Sequence, residues 1–355
     1  MAVDVQVEAS CSVCGTRFQP RYSYQVQERD GARVCFCSAR CQLAAMTRRE
    51  EVRCSVCDRA FTPEYAYQEA VFDGRRLRFC STECRESGRT EPAPLQRLAV
   101  YNLKGGTGKT TTAVNLAAAL AARGRRILLV DGDPQGSVGI SLGVESRRGL
   151  YQVLVLGTDP RSCVVAARER LDVVVSDRSL AAAEIYLASR PDRYRVMRDR
   201  FAGIQGYDLV VIDCSPSVGL LSQNALRSAD AVLAPVSCDY LGVVGLEQAV
   251  RTIEDLKERT GHAARLLGVL PTFYDSRLRV CHESMRALSQ QFSDVLLPPI
   301  RINTQLREAP ASQRTIFEHA VRSTGAADYE QLARWLDINA LGGRGQLEAC
   351  ESRSA

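Results

Sequence analysis

The stretch Lys104–Thr111, KGGTGKTT, constrains what this 355-residue chain can become more than any other. It fits the pattern G-x-x-x-x-G-K-[ST], with Gly105 or its neighbours at the front and Gly108-Lys109-Thr110 at the back. Just before it, Leu98–Tyr101 is a short apolar run suited to a buried strand. Just after it, Thr111–Arg123, rich in alanine and leucine, reads as a helix closed by Gly124. Strand, glycine loop and helix in that order make a phosphate site. Glycines let backbone N–H groups turn inward around an anion, and the helix start adds the positive end of its dipole. Gly105, Gly106, Thr107, Gly108, Lys109, Thr110 and Thr111 form the predicted cradle. Lys109 is placed to reach the β/γ-phosphates, and the Thr110 hydroxyl to sit on Mg²⁺.

Downstream, apolar runs alternate with helical stretches: Ile127–Val130, Val173–Val175, Leu209–Ile212, Ala231–Val236 and Leu266–Pro271. Continuous rather than alternating apolarity implies a parallel sheet covered on both faces. The predicted class is α/β, a doubly wound, mostly parallel sheet with ligands at the C-terminal strand ends. Carboxylates stand at two such ends. ILLVDGDPQG places Asp131 and Asp133 after Ile127–Val130, and YDLVVIDCSPS places Asp213 after Leu209–Ile212, where it can bind Mg²⁺ through water.

Of the 46 lysines and arginines only three are lysine: Lys104, Lys109 and Lys257. Two of them share one octapeptide, which points to positions needing a compact point charge rather than a guanidinium fork. The stretch KGGTGKTTTAVNLAAALAARGRRILLVDGDPQG resembles the deviant Walker-A ATPases and, within them, the ParA/Soj group of chromosome- and plasmid-partitioning proteins. The resemblance implies a P-loop NTPase domain that takes ATP and Mg²⁺ and hydrolyses ATP when a ParB-like or other partner protein stimulates it. It implies a homodimer formed on ATP binding, in which Lys104 crosses to the nucleotide of the partner subunit. It further implies that Asp133 positions or activates the attacking water and that Asp131 supports the Mg²⁺ shell. Asn115, Asn224 and Pro235 keep the pattern, as does PPIRINTQLREAPASQRTIFEHA, which places Asn303 on the base side. Gln305 and Val244 depart from it, since relatives commonly carry Arg and Glu there, and Ser215 replaces the first of two usual prolines. Non-specific DNA binding, also implied by the resemblance, falls to basic residues on the dimer edge: Arg277, Arg279, Arg301, Arg307 and Arg314.

Two copies of one unit precede this core, at an offset of 43 residues: CSVCGTRFQPRYSYQVQERDGARVCFCSARC and CSVCDRAFTPEYAYQEAVFDGRRLRFCSTEC. Cys11, Cys14, Cys37 and Cys41 match Cys54, Cys57, Cys80 and Cys84, each set spaced C-x₂-C, 22 residues, C-x₃-C. The first pair fits a zinc knuckle, and the second puts two thiols one turn apart on a short helix. Asp30-Gly31 and Asp73-Gly74 mark hairpin turns between them. Four thiolates with no open position describe a structural Zn²⁺ site, so two such sites are predicted. Units this small need the metal to fold, a contribution of roughly 10–16 kcal/mol. Nine of the 14 cysteines lie before residue 85, a density that in a reducing compartment argues for metal rather than disulfides. Cys35, matched by Arg78, reads as a spare thiol. The units resemble treble-clef fingers of the FCS/MYM/TRASH type. Residues 1–96 carry 14 arginines against 13 acidic residues. Each Zn²⁺ with four thiolates adds about −2, which turns the module negative. The fingers are therefore expected to meet a protein or another copy rather than DNA.

The composition, 45% hydrophobic and 25% charged, is that of an ordinary globular protein, and a net charge of +5 does not by itself announce a nucleic-acid binder. No apolar run approaches the ~20 residues that span a bilayer. The start, MAVDVQVEAS, lacks the basic and apolar regions of a secretory signal, so a cytoplasmic protein is predicted, and the family resemblance implies that it is nucleoid-associated. Gly325–Ile338 reads as a closing helix with Leu332, Trp335 and Leu336 inward. Its Arg334 faces Asp328, Glu330 and Asp337, a balance unsuited to stable association with an anionic membrane. The predicted division is finger one at 9–46, finger two at 47–88, a linker at 89–96, the ATPase at 97–340 and a disordered tail at 341–355. The competing readings are a zinc-finger adaptor positioning a non-chromosomal protein cargo and a MinD-like membrane-associated ATPase. Cys163, Cys214, Cys238, Cys281 and Cys350 are expected to be core or surface thiols, and the three histidines have no assigned role.

Overall fold

The structure is a computed structural model that describes residues 8–22, 25–29, 32–42, 52–54, 59–63, 68–72, 75–82, 96–261 and 264–342. Cys57, Cys84, Cys350, both Asp-Gly turns, nearly all of the linker and the tail beyond residue 342 lie outside the described residues. Contacts divide the chain into two units, Met1–Pro92 and Ala93–Ala355.

The larger unit is built on a seven-stranded sheet. Its strands are β1 (Arg97–Val100), β2 (Ile127–Gly132), β3 (Val165–Arg168), β4 (Leu171–Val174), β5 (Leu209–Cys214), β6 (Ala231–Ser237) and β7 (Arg265–Thr272), in the order β3-β4-β2-β5-β1-β6-β7. Every pairing is parallel except β3 with β4. β2, β5 and β6 are buried along their whole length, which is why they read as unbroken apolar runs. β3 has no counterpart among the predicted runs. Its Val-Ala-Ala-Arg is a weak strand former at the sheet edge, held by antiparallel pairing to β4 across Arg170, at φ 58°, and by Arg168, which pairs with Glu318 and donates to the Gln313 carbonyl at 3.0 Å.

Among the described residues, five helices run nine residues or longer: α1 (Lys109–Ala122), α2 (Leu220–Ser228), α3 (Tyr240–Thr260), α4 (Arg279–Phe292) and α5 (Thr324–Asn339). Strand alternation splits the core in two. Ile127 and Leu129 of β2 pack with Leu116 and Leu120 of α1 and with Tyr329, Leu332 and Leu336 of α5. Leu128 and Val130 pack with Leu221 and Leu226 of α2 and Ile253 and Leu256 of α3. This is the two-faced architecture of a P-loop NTPase, with the sheet's C-terminal edge left for a ligand.

The closing helix differs from its composition. Asp337 is nearly buried and pairs with Arg125 at 2.6 Å and Arg123 at 3.2 Å. Asp328 binds Arg301 at 2.6 Å. Two of the acids that made this helix look unfit for a membrane therefore point inward and hold it to the domain.

In the smaller unit the sequence repeat is also a structural one. Ala9–Ser10 pairs antiparallel with Arg17–Phe18, and Val26–Arg29 with Ala32–Cys35. Forty-three residues on, Val52–Arg53 pairs with Ala60–Phe61, and Glu69–Phe72 with Arg75–Arg78. Each copy buries one aromatic completely, Phe36 and Phe79, directly before the third cysteine of its set.

Candidate functional site

β1 ends into the glycine loop, and α1 opens directly behind it at Lys109. Gly106 and Gly108 take positive φ, 73° and 83°. The position five residues before Gly108 is Leu103, so the first glycine of the general pattern is absent and Gly106 and Gly108 make the turn. At Gly108 a side chain would be strained by φ and would face Phe273 at 3.7 Å and Thr272 at 3.8 Å. α1 begins without a side-chain cap, so its first N–H groups stay open toward the loop, the arrangement that receives an anion. Gly105 and Gly106 are exposed. Thr107 is buried, and its carbonyl accepts the Thr272 hydroxyl at 2.9 Å. The Thr111 carbonyl accepts from Asn115, whose own carbonyl oxygen accepts the Ile316 N–H, both at 2.8 Å.

Lys109 is buried and donates to the Lys104 carbonyl at 2.9 Å. Burial pulls its pKa down, and Asp213 works against that. The Thr110 hydroxyl donates to Asp213 Oδ2 at 2.7 Å. The other oxygen, Asp213 Oδ1, is buried with no hydrogen-bond partner among the described residues. Parallel register places Asp131 directly beside Asp213. The closeness depends on Gly132, where a Cβ would stand 2.7 Å from the Asp213 carbonyl oxygen. Burial, then the Asp131 charge, raises the pKa of Asp213 well above the usual carboxylate range. Burial also raises Asp131 to about 6, although it accepts the N–H groups of Asp133 and Val138, both at 3.1 Å. A buried carboxylate pair with one empty acceptor is a site short of positive charge, which fits a divalent cation with oxygen ligands. Asp133 is half-buried at the mouth; its carboxylate accepts the Gln135 N–H at 2.9 Å, and its carbonyl accepts the Ser176 hydroxyl.

Lys104 does not reach into solvent in the single chain. Its ammonium lies 2.6 Å from Asp239 Oδ1 and 3.1 Å from Ser237 Oγ. Asn102, fully buried, fixes its backbone by accepting the Lys104 N–H at 3.1 Å while donating to the Pro235 carbonyl at 2.8 Å. Partial burial pushes the Asp239 pKa up, but hydrogen bonds from Lys104, Ser237 and the Gly242 N–H outweigh it and hold the group ionised. Sequence reasoning missed Asp239 and Asn102. Asp239 caps α3, and nothing in its local sequence marks it as the partner of a lysine 135 residues away.

The remaining predicted positions fall as follows. Asn303 donates to Thr324 at the start of α5 at 2.8 Å and accepts the Leu306 N–H at 3.3 Å, so its amide ties its own loop to that helix. Ser215, Ser217 and Ser222 form a hydroxyl cluster behind Asp213, with contacts of 2.9–3.3 Å. Asn224 is buried and ties the Arg193 carbonyl and the Met197 N–H to α2. Three of the five candidate DNA-contacting arginines are already paired: Arg277 with Asp275, Arg279 with Glu283 and Arg301 with Asp328. Arg307 stands 5.9 Å from the Phe273 ring centroid, and Arg314 is exposed. Cys163, Cys214, Cys238 and Cys281 are buried in the core.

In the smaller unit Cys11, Cys14, Cys37 and Cys41 bring their sulfurs within 4.8 Å of one another. Three of the separations are 3.5, 3.6 and 3.8 Å. A tetrahedral ion with bonds of about 2.3 Å needs sulfurs about 3.8 Å apart. Cys35 is buried in the strand opposite Val26 and stands apart from that cluster. In the second copy the Cys80 N–H points at Cys54 Sγ, 3.5 Å away. Gln25 was not foreseen. Buried, it accepts the N–H groups of Arg21 and Tyr22 at 2.7 and 2.9 Å and donates to the Cys37 carbonyl at 3.1 Å. Gln68 repeats the last contact with Cys80 at 3.3 Å. The signal was available, because glutamine stands at the same place in both copies.

A family profile described as an AAA domain matches residues 95–265. The chain is 39% identical over 243 residues to the chromosome-partitioning ATPase Soj of Thermus thermophilus, covering 68% of this chain and 95% of that protein. It is 39% identical over 248 residues to the sporulation initiation inhibitor protein Soj of Bacillus subtilis, covering 68% and 98%. Among solved structures it is similar, at 34% identity and a TM-score of 0.61, to cobyrinic acid a,c-diamide synthase of Mycobacterium smegmatis with bound ATP analogue and magnesium, covering 70% of this chain and 97% of that one. No described helix is long and apolar enough to cross a membrane. With that phosphate loop and these relatives, the chain is an ATPase and belongs to the ParA/Soj family of partitioning and positioning ATPases.

Proposed function

We propose that the chain is a nucleotide-gated switch that partitions or positions a cargo. ATP binds at Gly105–Thr111, and Thr110 and Asp213 would hold Mg²⁺, which when bound offsets phosphate charge. Two copies then close face to face, and Lys104 leaves Asp239 for the nucleotide of the other copy. Asp133 orients the attacking water, and Asp131 supports the Mg²⁺ shell. Asn303 sits beside the base. The dimer binds DNA without sequence preference through arginines that line up when paired, Arg307 and Arg314 being the members without a carboxylate partner among the described contacts. A ParB-like or other partner protein stimulates hydrolysis and releases the DNA.

The two N-terminal units each hold one structural Zn²⁺, the first on Cys11, Cys14, Cys37 and Cys41 and the second on Cys54, Cys57, Cys80 and Cys84. They dock a partner protein or another copy. The sulfur spacing in the first unit supports this reading, and the second rests on the repeat.

The observation that carries the nucleotide reading is the buried, partnerless Asp213 Oδ1 beside the Thr110 hydroxyl. Light scattering and DNA retention, each with and without ATP-Mg²⁺, test the switch. Lys109→Ala is expected to stay monomeric with ATP. Asp133→Ala is expected to accumulate as an ATP-bound dimer on DNA. An Asp133→Ala protein that turns over ATP at the wild-type rate refutes the assigned role.

A further inference from the structure

The ring of Phe273 lies against the phosphate loop and has no part in the switch described so far. Its Cζ and Cε2 stand 3.7 and 4.0 Å from where a Cβ on Gly108 would be. The residue is half-buried, so part of the ring stays open to the site. Its backbone is fixed at φ 54°, directly after Thr272, whose hydroxyl bonds the Thr107 carbonyl at 2.9 Å. The next aromatic, Tyr274, is engaged elsewhere, edge-on to His282 with 6.3 Å between ring centroids.

Strand order says what this ring would meet. Asp213 near the end of β5 and Asp131 near the end of β2 both lie on one side of β1. A cation held there by Thr110 and Asp213 draws the outer phosphates to that side. β6 and β7 stand on the other side of β1, so the nucleoside extends toward the end of β7, where Phe273 follows. The neighbouring loop is joined there, since the Tyr274 N–H bonds the Ile300 carbonyl at 3.1 Å and the Ile302 N–H bonds the Tyr274 carbonyl at 2.9 Å. Asn303 on that loop has little left for a base, because its carbonyl oxygen accepts the Leu306 N–H and its amide donates to Thr324. A base is therefore held by its face more than by its edge, and adenine and guanine share the same face. The face of the ring is covered in the empty site. The Arg307 guanidinium lies over it, 5.9 Å from the centroid, and Arg307 is exposed. A base between them would need two contacts of about 3.5 Å, roughly 7 Å in all, which is more than the gap. Base and guanidinium thus compete for one surface.

We infer that Phe273 receives the purine base by stacking, and that Arg307 occupies the same face in the nucleotide-free chain and is displaced when nucleotide binds. This rests on the nucleotide site proposed above and adds the residue that holds its base. It also makes the base side a weak judge between adenine and guanine.

The test is isothermal titration calorimetry of the full chain with Mg²⁺, using ADP and, as the ligand without a base, pyrophosphate. The readout is the ratio of the two affinities, in which changes to the loop or to overall charge cancel. Phe273→Leu is expected to lower the ratio about tenfold, the loss of one base–aromatic stack, and to weaken GDP by the same factor as ADP. Phe273→Tyr keeps the ring and should stay within about twofold of wild type. Arg307→Ala uncovers the ring and is expected to raise the ratio about two- to fivefold, the worth of a cation over an exposed aromatic. Equal loss of ADP and pyrophosphate in Phe273→Leu would mean that the ring only supports Gly108, and would overturn the inference. A ratio that falls or stays put in Arg307→Ala would overturn the competition. That variant, at an exposed position, carries the test should Phe273→Leu melt early. A wild type that binds neither ligand refutes the nucleotide site itself, whereas one that binds both equally well spares that site and refutes the stack alone.

Discussion

Asp131 offers a sharp test of the electrostatics at the strand ends. Burial lifts its pKa from 3.8 to about 6. The folded protein therefore takes up this proton before the unfolded chain does as pH falls. The resulting stabilisation is complete below the unfolded value and is lost as pH rises through about 6. Linkage across that shift gives about 1.4 kcal/mol of extra stability at about pH 5 relative to about pH 7.5 from this residue alone. Asp213 shifts in the same direction, so it steepens the trend. The assay is urea unfolding of nucleotide-free protein in chelator at the two pH values, wild type beside Asp131→Asn. The variant loses an acceptor for the Asp133 or Val138 N–H, which lowers its stability at both pH values alike. Its pH dependence should flatten by at least the amount above. Every other group is common to both proteins and cancels in the difference. Parallel lines for the two proteins would show that the pair is not short of positive charge, and the argument for a cation beside Asp213 would fall with it.

Asp239→Asn should change folding stability by less than about 1 kcal/mol, because the Lys104 pair is partly exposed. The same variant should dimerise at lower ATP concentration in light scattering, and an unchanged ATP requirement would deny the pair any part in gating. Native mass spectrometry of the full chain should find two zinc ions per chain, and Cys41→Ser should reduce this to one; two ions retained would remove Cys41 from the ligand set. Gln25→Ala removes the acceptor of the Arg21 and Tyr22 N–H groups and the donor to the Cys37 carbonyl, at a cost of about 1 kcal/mol for each bond lost. Zinc transfer to a chromogenic chelator should be faster from this variant, and Gln25→Glu, which keeps the acceptor, should lie between.

The phosphate loop and the central strands were legible because both are local. Glycines at 106 and 108 and a lysine-threonine pair at the helix start need no distant partner to be recognised, and β2, β5 and β6 are buried on both faces. The edge strand β3 was not legible, since its stability comes from pairing to β4 and from the distant partners of Arg168 rather than from its local sequence. Charges were the other failure. Arg277 and Arg279 meet carboxylates only two and four residues away, a local signal that was passed over, whereas Arg301 meets Asp328 across the fold, and Asp328 and Asp337 look exposed yet face inward. Charge counts along a chain cannot register pairings that folding makes across it. Lys104 shows both sides: its rarity marked it as special, but only the fold brings Asp239 to it.

The buttress under the phosphate loop has a mechanical corollary. Thr272 ends β7 and Phe273 follows it; the Thr272 hydroxyl bonds the Thr107 carbonyl, and the Phe273 ring occupies the space that a side chain at Gly108 would need. Phe273 is held at φ 54°, a backbone state with little slack. Four residues on comes Arg277, and α4 starts at Arg279. On the proposed switch, a loop tightening on a triphosphate would pull on the root of that arginine segment, so that the two ends of this short stretch would move together.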